Sequence, residues 1–200
     1  MHLKNLKFYC FIDKLDKHFI SRLPNNTSII YRNYGIKINK KEILEIKKIC
    51  NLKKIKFYLS NNIKLAIKLG LDGGYIPSFN KSTCHNSFSL KTNFSLLGSA
   101  HNLREIRVKE RQQVKKIFIS PIFFTAKNRF YLGIYKFLKL KNITLKEIAC
   151  LGGINKDNIK KIKMLKIKNV AGISFFVFSS TFSNFCSRKY FWIFTSSDLT

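Results

Sequence analysis

Strand-length apolar runs alternate along this chain with segments whose apolar residues recur at helical spacing, and the pattern repeats eight times. The runs are KFYCFI (7–12), SIIYR (28–32), IKFYL (55–59), GGYI (73–76), FSLLGS (94–99), KKIFIS (115–120), KEIACL (146–151) and NVAGIS (169–174). The first helical stretch, 13–23, places Leu15, Phe19 and Leu23 on one face; the second, 39–50, turns Ile43, Ile46 and Cys50 inward. Residues 62–70, 102–114, 131–141 and 155–167 supply further helices, while 77–93, rich in Ser, Asn, Lys and Thr, reads as a loop. Strands separated by helices pair in parallel through right-handed crossovers. Eight such units in about 175 residues predict an α/β chain folded as a single compact (β/α)8 TIM barrel, in preference to an open doubly wound sheet.

The barrel is expected over residues 1–176. Residues 177–200 form an atypical C-terminal segment, with Arg188 and Lys189 as its basic residues and no helical period where an eighth helix belongs. It is either an unusual closing segment or a departure from the ancestral reading frame.

Charge sets a second constraint. The chain carries 38 Lys+Arg against 10 Asp+Glu, a formal net charge of +28. Such an excess suits a nucleic-acid or membrane-surface partner when it gathers on one face. Here the lysines run through almost every helical segment, and abundant Ile, Asn, Phe and Lys together carry the codon bias of an AT-rich genome. Nucleic acid is therefore not the expected partner. Five cysteines, Cys10, Cys50, Cys84, Cys150 and Cys186, stand far apart without a CxxC pair, which argues against a disulfide framework or a structural zinc. No apolar stretch approaches the ~20 residues of a membrane span. No signal peptide is visible at the start, and a cytoplasmic protein is expected. A homo-oligomer is compatible with the sequence.

In a barrel of this kind, polar residues at the C-terminal ends of the strands carry function. Gly152 and Gly153 follow the seventh run, and Gly172, Ile173 and Ser174 end the eighth. Amide groups freed there by glycine can converge on a phosphate; the plainer alternative is a tight strand-to-helix turn. The recurrence after both of the last strands favours the phosphate cup. Arg32 ends the second run and can meet a phosphate or pyrophosphate through its fork of donors. Ser60 and Asn61 end the third run, and Ser99 and His101 the fifth. His101 is the one histidine so placed, and it is the candidate acid–base residue. Thr125 and Lys127, after the sixth run, are placed to reach an anionic ligand.

Taken in order, several stretches resemble the thiamine phosphate synthase family, which includes a thiazole tautomerase (TenI-like) branch. They are FYLSNNIKLAIKLGLDGGYIPS, LLGSAHNLREI, IFISPIFFTAK, ACLGGINKDNI and VAGIS, and the resemblance spans roughly residues 8–176. It implies a (β/α)8 barrel of thiamine biosynthesis that binds a phosphorylated thiazole. It also implies that Gly153, Ile173 and Ser174 hold the thiazole phosphate with Thr125 nearby, and that Arg32 contacts pyrophosphate. The family's synthase joins an aminopyrimidine pyrophosphate to thiazole phosphate with Mg²⁺ assistance. Where that pattern carries metal-binding carboxylates, this chain has Asn61 and Asn80, and the glutamine and lysine flanking the arginine are Ile30 and Tyr34. Hard divalent cations need carboxylate oxygens. No cofactor is therefore expected, and Mg²⁺ only if synthase activity is retained. The tautomerase branch shares the Pro77-Ser78 pair and the histidine at position 101. Proton-transfer isomerisation through His101, with Ser99 positioning the ligand, is the favoured expectation. A synthase and a non-catalytic phosphate-binding barrel are the alternatives.

Overall fold

The computed structural model describes residues 6–34, 39–125, 130–155 and 157–172. The elements run β1 (Lys7–Ile12), α1 (Lys17–Arg22), β2 (Thr27–Tyr31), α2 (Lys40–Leu52), β3 (Phe57–Ser60), α3 (Ile63–Lys68) and β4 (Gly73–Ile76). They continue with β5 (Ser95–Ala100), α4 (Leu103–Arg111), β6 (Lys116–Ile119), α5 (Gly133–Ile143), β7 (Glu147–Leu151), α6 (Ile159–Met164) and β8 (Asn169–Gly172). Every neighbouring pair is parallel, and β1 pairs with both β2 and β8, so the sheet closes into the expected (β/α)8 barrel.

Side-chain alternation along each strand divides the apolar residues between two cores. The outer core fills the space between strands and helices, where Ile43, Ile46 and Cys50 of α2 are fully buried as their spacing predicts. The inner core fills the barrel itself with Tyr9, Phe11, Ile30, Tyr58, Tyr75, Leu97 and Phe118, opposite the small Ala149 and Ala171 of β7 and β8. Its rings meet edge to face: Phe11–Tyr75 at 5.2 Å and Tyr75–Phe118 at 5.7 Å between centroids. That geometry suits the aromatic quadrupole and leaves the interior solid rather than open.

Helix starts are set by short polar side chains. Asp16, Asn39, Asn62 and Asn102 each accept a hydrogen bond from an amide of the first turn that follows. The Asp16 cap corrects the expected 13–23 helix. It begins only at Lys17, so Leu15 lies outside it, and Ile20 is the residue of the helix that is fully buried. The loop between β4 and β5 contains one 3₁₀ turn, Cys84–Ser87, and no helix. Among the described residues, no helix is long and apolar enough to cross a membrane. Of the expected segments, the tail 177–200 lies outside the described residues.

Candidate active site at the C-terminal rim

The end of β5 carries His101, whose ring is held from two sides. Its Nδ1 lies 2.7 Å from the Ser120 carbonyl oxygen and its Nε2 3.1 Å from Ser78 Oγ. A carbonyl oxygen only accepts, so Nδ1 carries the proton. In the neutral ring, Nε2 therefore presents its lone pair, and the Ser78 hydroxyl donates to it. The backbone is fixed as firmly. The His101 amide donates to Glu105 Oε2 at 2.7 Å, and Glu105 is itself bound through its amide and carboxylate to Asn102, the cap of α4. This is a reciprocal N-terminal box, which pins the residue preceding the helix. His101 remains exposed at the barrel mouth.

Ser99, two residues earlier on the same strand, points into the barrel, where it is buried and hydrogen-bonded to the Tyr75 phenol. Burial holds that phenol well above the ordinary tyrosine range, so it stays protonated. Ser99 is thus part of the layer beneath the mouth.

The metal-ligand positions of the family pattern meet directly. Asn80 Nδ2 donates to Asn61 Oδ1 at 2.7 Å. Beside them Tyr34, which stands where the pattern has lysine, shares a hydrogen bond with Ser60 Oγ at 2.8 Å and packs edge to face on Phe79. The Arg32 guanidinium lies over the Phe11 ring, 5.3 Å from its centroid, at the top of the inner core.

Gly152 and Gly153 take φ values of +93° and +69°, a left-handed turn that residues with a Cβ resist. The segment after β6 lies against this turn. A Cβ on Gly152 would stand 2.7 Å from Pro121 Cβ, and one on Gly153 would meet the backbone oxygens of Phe123 and Phe124. The plainer of the two readings thus has a double physical basis: the turn needs the glycines, and so does the loop packed over it. Asn158 Nδ2 closes the turn by donating to Gly153 O at 2.7 Å. Substituting Gly153 by alanine is expected to lower stability by about 2 kcal/mol, from left-handed strain plus overpacking against backbone. Denaturant unfolding checks this; a loss below about 0.5 kcal/mol would mean that the loop simply moves aside.

Of the sequence-predicted residues, Ser99 lies on β5 and His101 just after it, while Gly152 and Gly153 follow β7; β6 stands between the two strands, and its following loop touches both sites through Ser120 and Pro121. Thr125 lies on that same loop, and Gly172 is the last residue of β8 beside Cys10. Arg32, Asn61 and Asn80 lie round the rim after β2, β3 and β4. Lys127, Ile173 and Ser174 lie outside the described residues. Ser78 and Ser120, the partners of His101, were not singled out as site residues from sequence; the Pro-Ser pair after β4 was their one visible trace.

Polar groups on the loops at the C-terminal ends of a closed parallel barrel are the layout on which (β/α)8 enzymes build their active sites. Within that class, a family model described as thiamine monophosphate synthase matches residues 23–176, and the chain belongs to that family. A thiamine-phosphate synthase of Prochlorococcus marinus is 32% identical over 66% of this chain and 39% of its own length. One from Hydrogenobaculum sp. is 24% identical over 66% of this chain and 63% of that protein. The chain thus spans about two fifths of the Prochlorococcus relative. Among solved structures, the thiamine phosphate pyrophosphorylase of Pyrococcus furiosus superposes with a TM-score of 0.70 at 19% identity, covering 86% of this chain and 88% of that one. A citrate synthase, SbnG, superposes at 0.62 with 8% identity, so likeness at this level speaks for the barrel alone.

Proposed function

We propose that the C-terminal rim binds a phosphorylated thiazole and moves a proton on it through His101, an isomerisation of the tautomerase kind. The observation that carries this reading is the pair of contacts made by the His101 ring. Its Nδ1–H is committed to a backbone carbonyl, so Nε2 is the atom left to take a proton and return it. Ser78 holds Nε2 until a ligand replaces it. The phosphate is assigned to the amides of the Gly152–Gly153 turn and of Gly172 and, through the family resemblance, to Ile173 and Ser174, with Thr125 nearby. Arg32 and Lys127 are the cations proposed for a second anionic group. Ser99 supports the mouth from below through Tyr75.

This reading uses no metal. The Asn61–Asn80 pair offers two neutral amides whose oxygens already accept from Asn80 Nδ2 and the Ser82 amide, a donor set that does not fit Mg²⁺. Among the described residues, no group of three or more His, Cys, Asp or Glu is arranged to hold a metal ion. Restoring carboxylates should reverse this. In the Asn61→Asp/Asn80→Asp variant, two like charges replace a hydrogen bond, so the protein is expected to melt earlier than wild type in chelator. Mg²⁺ should then raise its melting temperature, by about 2.7 kcal/mol of stabilisation at a concentration a hundred times the dissociation constant. Wild type should not respond. Equal responses would remove the argument.

The second reading, condensation with an aminopyrimidine pyrophosphate, is favoured by the names of the relatives. One experiment separates the two. Calorimetric titration with thiazole phosphate tests the shared step, and saturable 1:1 binding that Gly153→Asp abolishes supports both readings. Conversion of one thiazole isomer to the other without Mg²⁺ supports isomerisation. Formation of thiamine phosphate on adding the pyrimidine and Mg²⁺ supports the synthase. Binding without either product leaves a phosphate-ligand module, and no binding overturns all three.

A further inference from the structure

The opposite end of the barrel holds a cavity of about 350 Å³, built where the strands begin. Its wall includes Lys7 at the start of β1, Ser28 on β2, Lys54 and Lys56 before β3, Ser95 at the start of β5, and Lys115 before β6. Its inner end is sealed by Lys116. That ammonium is buried and spends its three protons on Tyr9 Oη (2.8 Å), Asn169 Oδ1 (2.7 Å) and Glu147 Oε2 (3.1 Å). Glu147 is the acidic residue of the lining, and Lys116 already neutralises it. Among the described residues, none of the other four ammoniums forms a salt bridge with a carboxylate.

We propose that this cavity is an anion site for a small molecule bearing a diphosphate group. Four like charges round one concavity repel each other, and a polyanion between them converts that repulsion into attraction. The walls are of the kind phosphate oxygens use: Ser28 and Ser95 add hydroxyl donors to the ammoniums, and no second carboxylate opposes an anion there. The volume exceeds that of a single phosphate and accommodates a diphosphate with a further group attached. The apolar parts of Ile55, Leu97 and the Tyr58 ring provide a surface for such a group. Concavity distinguishes this place from the exposed lysines of the helices, such as Lys40, Lys41 and Lys48 of α2.

The test is calorimetric titration of the full chain with inorganic pyrophosphate and, separately, with ADP at low ionic strength, without Mg²⁺. Saturable 1:1 binding is expected, weakened at least tenfold in Lys54→Ala/Lys56→Ala/Lys115→Ala and by added salt. Equal affinity for the two probes assigns recognition to the diphosphate alone; tighter ADP binding adds the attached nucleoside. Both support the site. The variant Lys40→Ala/Lys41→Ala/Lys48→Ala removes the same charge from α2 and serves as the control. The proposal fails if that control weakens binding as much, if Lys54→Ala/Lys56→Ala/Lys115→Ala binds as wild type does, or if neither probe binds. It also fails if a single-stranded oligonucleotide binds the same lysines more tightly than either probe, since the site would then be a nucleic-acid contact.

Discussion

Replacing Lys109 by methionine is expected to lower the stability of the barrel by about 3 kcal/mol, although a lysine on an amphipathic helix ordinarily contributes almost nothing. Lys109 is fully buried on α4. Its ammonium donates to Pro77 O at 2.7 Å, Asn80 O at 2.9 Å and Gln112 Oε1 at 2.8 Å. Gln112 in turn donates to Asn80 O and Ser82 O. Together the two side chains tie down the loop after β4, which has no helix to hold it. Methionine keeps the stem but leaves Gln112 Oε1 without its donor and Pro77 O with the Asn80 amide alone, a buried acceptor left unpaired costing about 1–3 kcal/mol, partly offset by no longer burying a charge. Space for the stem comes from Gly98 on β5, where a Cβ would stand 2.8 Å from Lys109 Cδ.

The same residue gives a pH signature. Burial pushes the Lys109 ammonium down to about 8, from an ordinary value of 10.5. Between these values the unfolded chain binds the extra proton, so stability rises with pH across that window. The difference in stability between wild type and Lys109→Met should therefore widen from pH 7.5 to pH 9.5. A difference that stays constant would show that the three acceptors fully offset the burial of the charge. Because the loop carries Ser78, the variant should also loosen the hydroxyl that holds His101.

The second large effect concerns chemistry. On the proposed isomerisation, His101→Ala should lower kcat by about 10²–10⁴-fold while KM for thiazole phosphate changes little, because a proton carrier acts in the transition state more than in binding. Ser78→Ala removes only a ground-state partner of Nε2 and should have a much smaller effect. The exposed ring adds little to packing, so the His101→Ala protein should melt close to wild type. A variant that retains full turnover would transfer the proton to another group. One that loses binding as well would make His101 part of the ligand cradle.

Much of the frame was legible because strands in a closed barrel need apolar residues on both faces. KFYCFI therefore stands out as a continuous run, GGYI is the weaker signal, and β1 and β4 occupy the residues both predict. The end of β2 and the start of β5 shift by one residue from their runs, where Arg32 and Phe94 border the ladder. For the glycine pair the tight turn, the plainer of the two readings, was legible, since positive φ is a local property. Its second cause, the loop from Pro121 to Phe124, comes from a segment some thirty residues earlier, and local pattern does not record it. Lys109 was invisible for a different reason. In a chain with so many lysines, one that is buried looks like every other; only a glycine at position 98, facing it across the strand–helix interface, marks the space it fills. The Ser78–His101 contact joins residues 23 apart across an irregular loop, where no period exists to read.

Lys116, knotted to Tyr9, Asn169 and Glu147 beneath the ring of Phe11, Tyr75 and Phe118, corks the bore of the molecule. Among the described residues, packed side chains separate the two mouths, and neither lining shares a side chain with the other. Changes made at the two poles should therefore combine additively, each leaving the other's ligand affinity untouched.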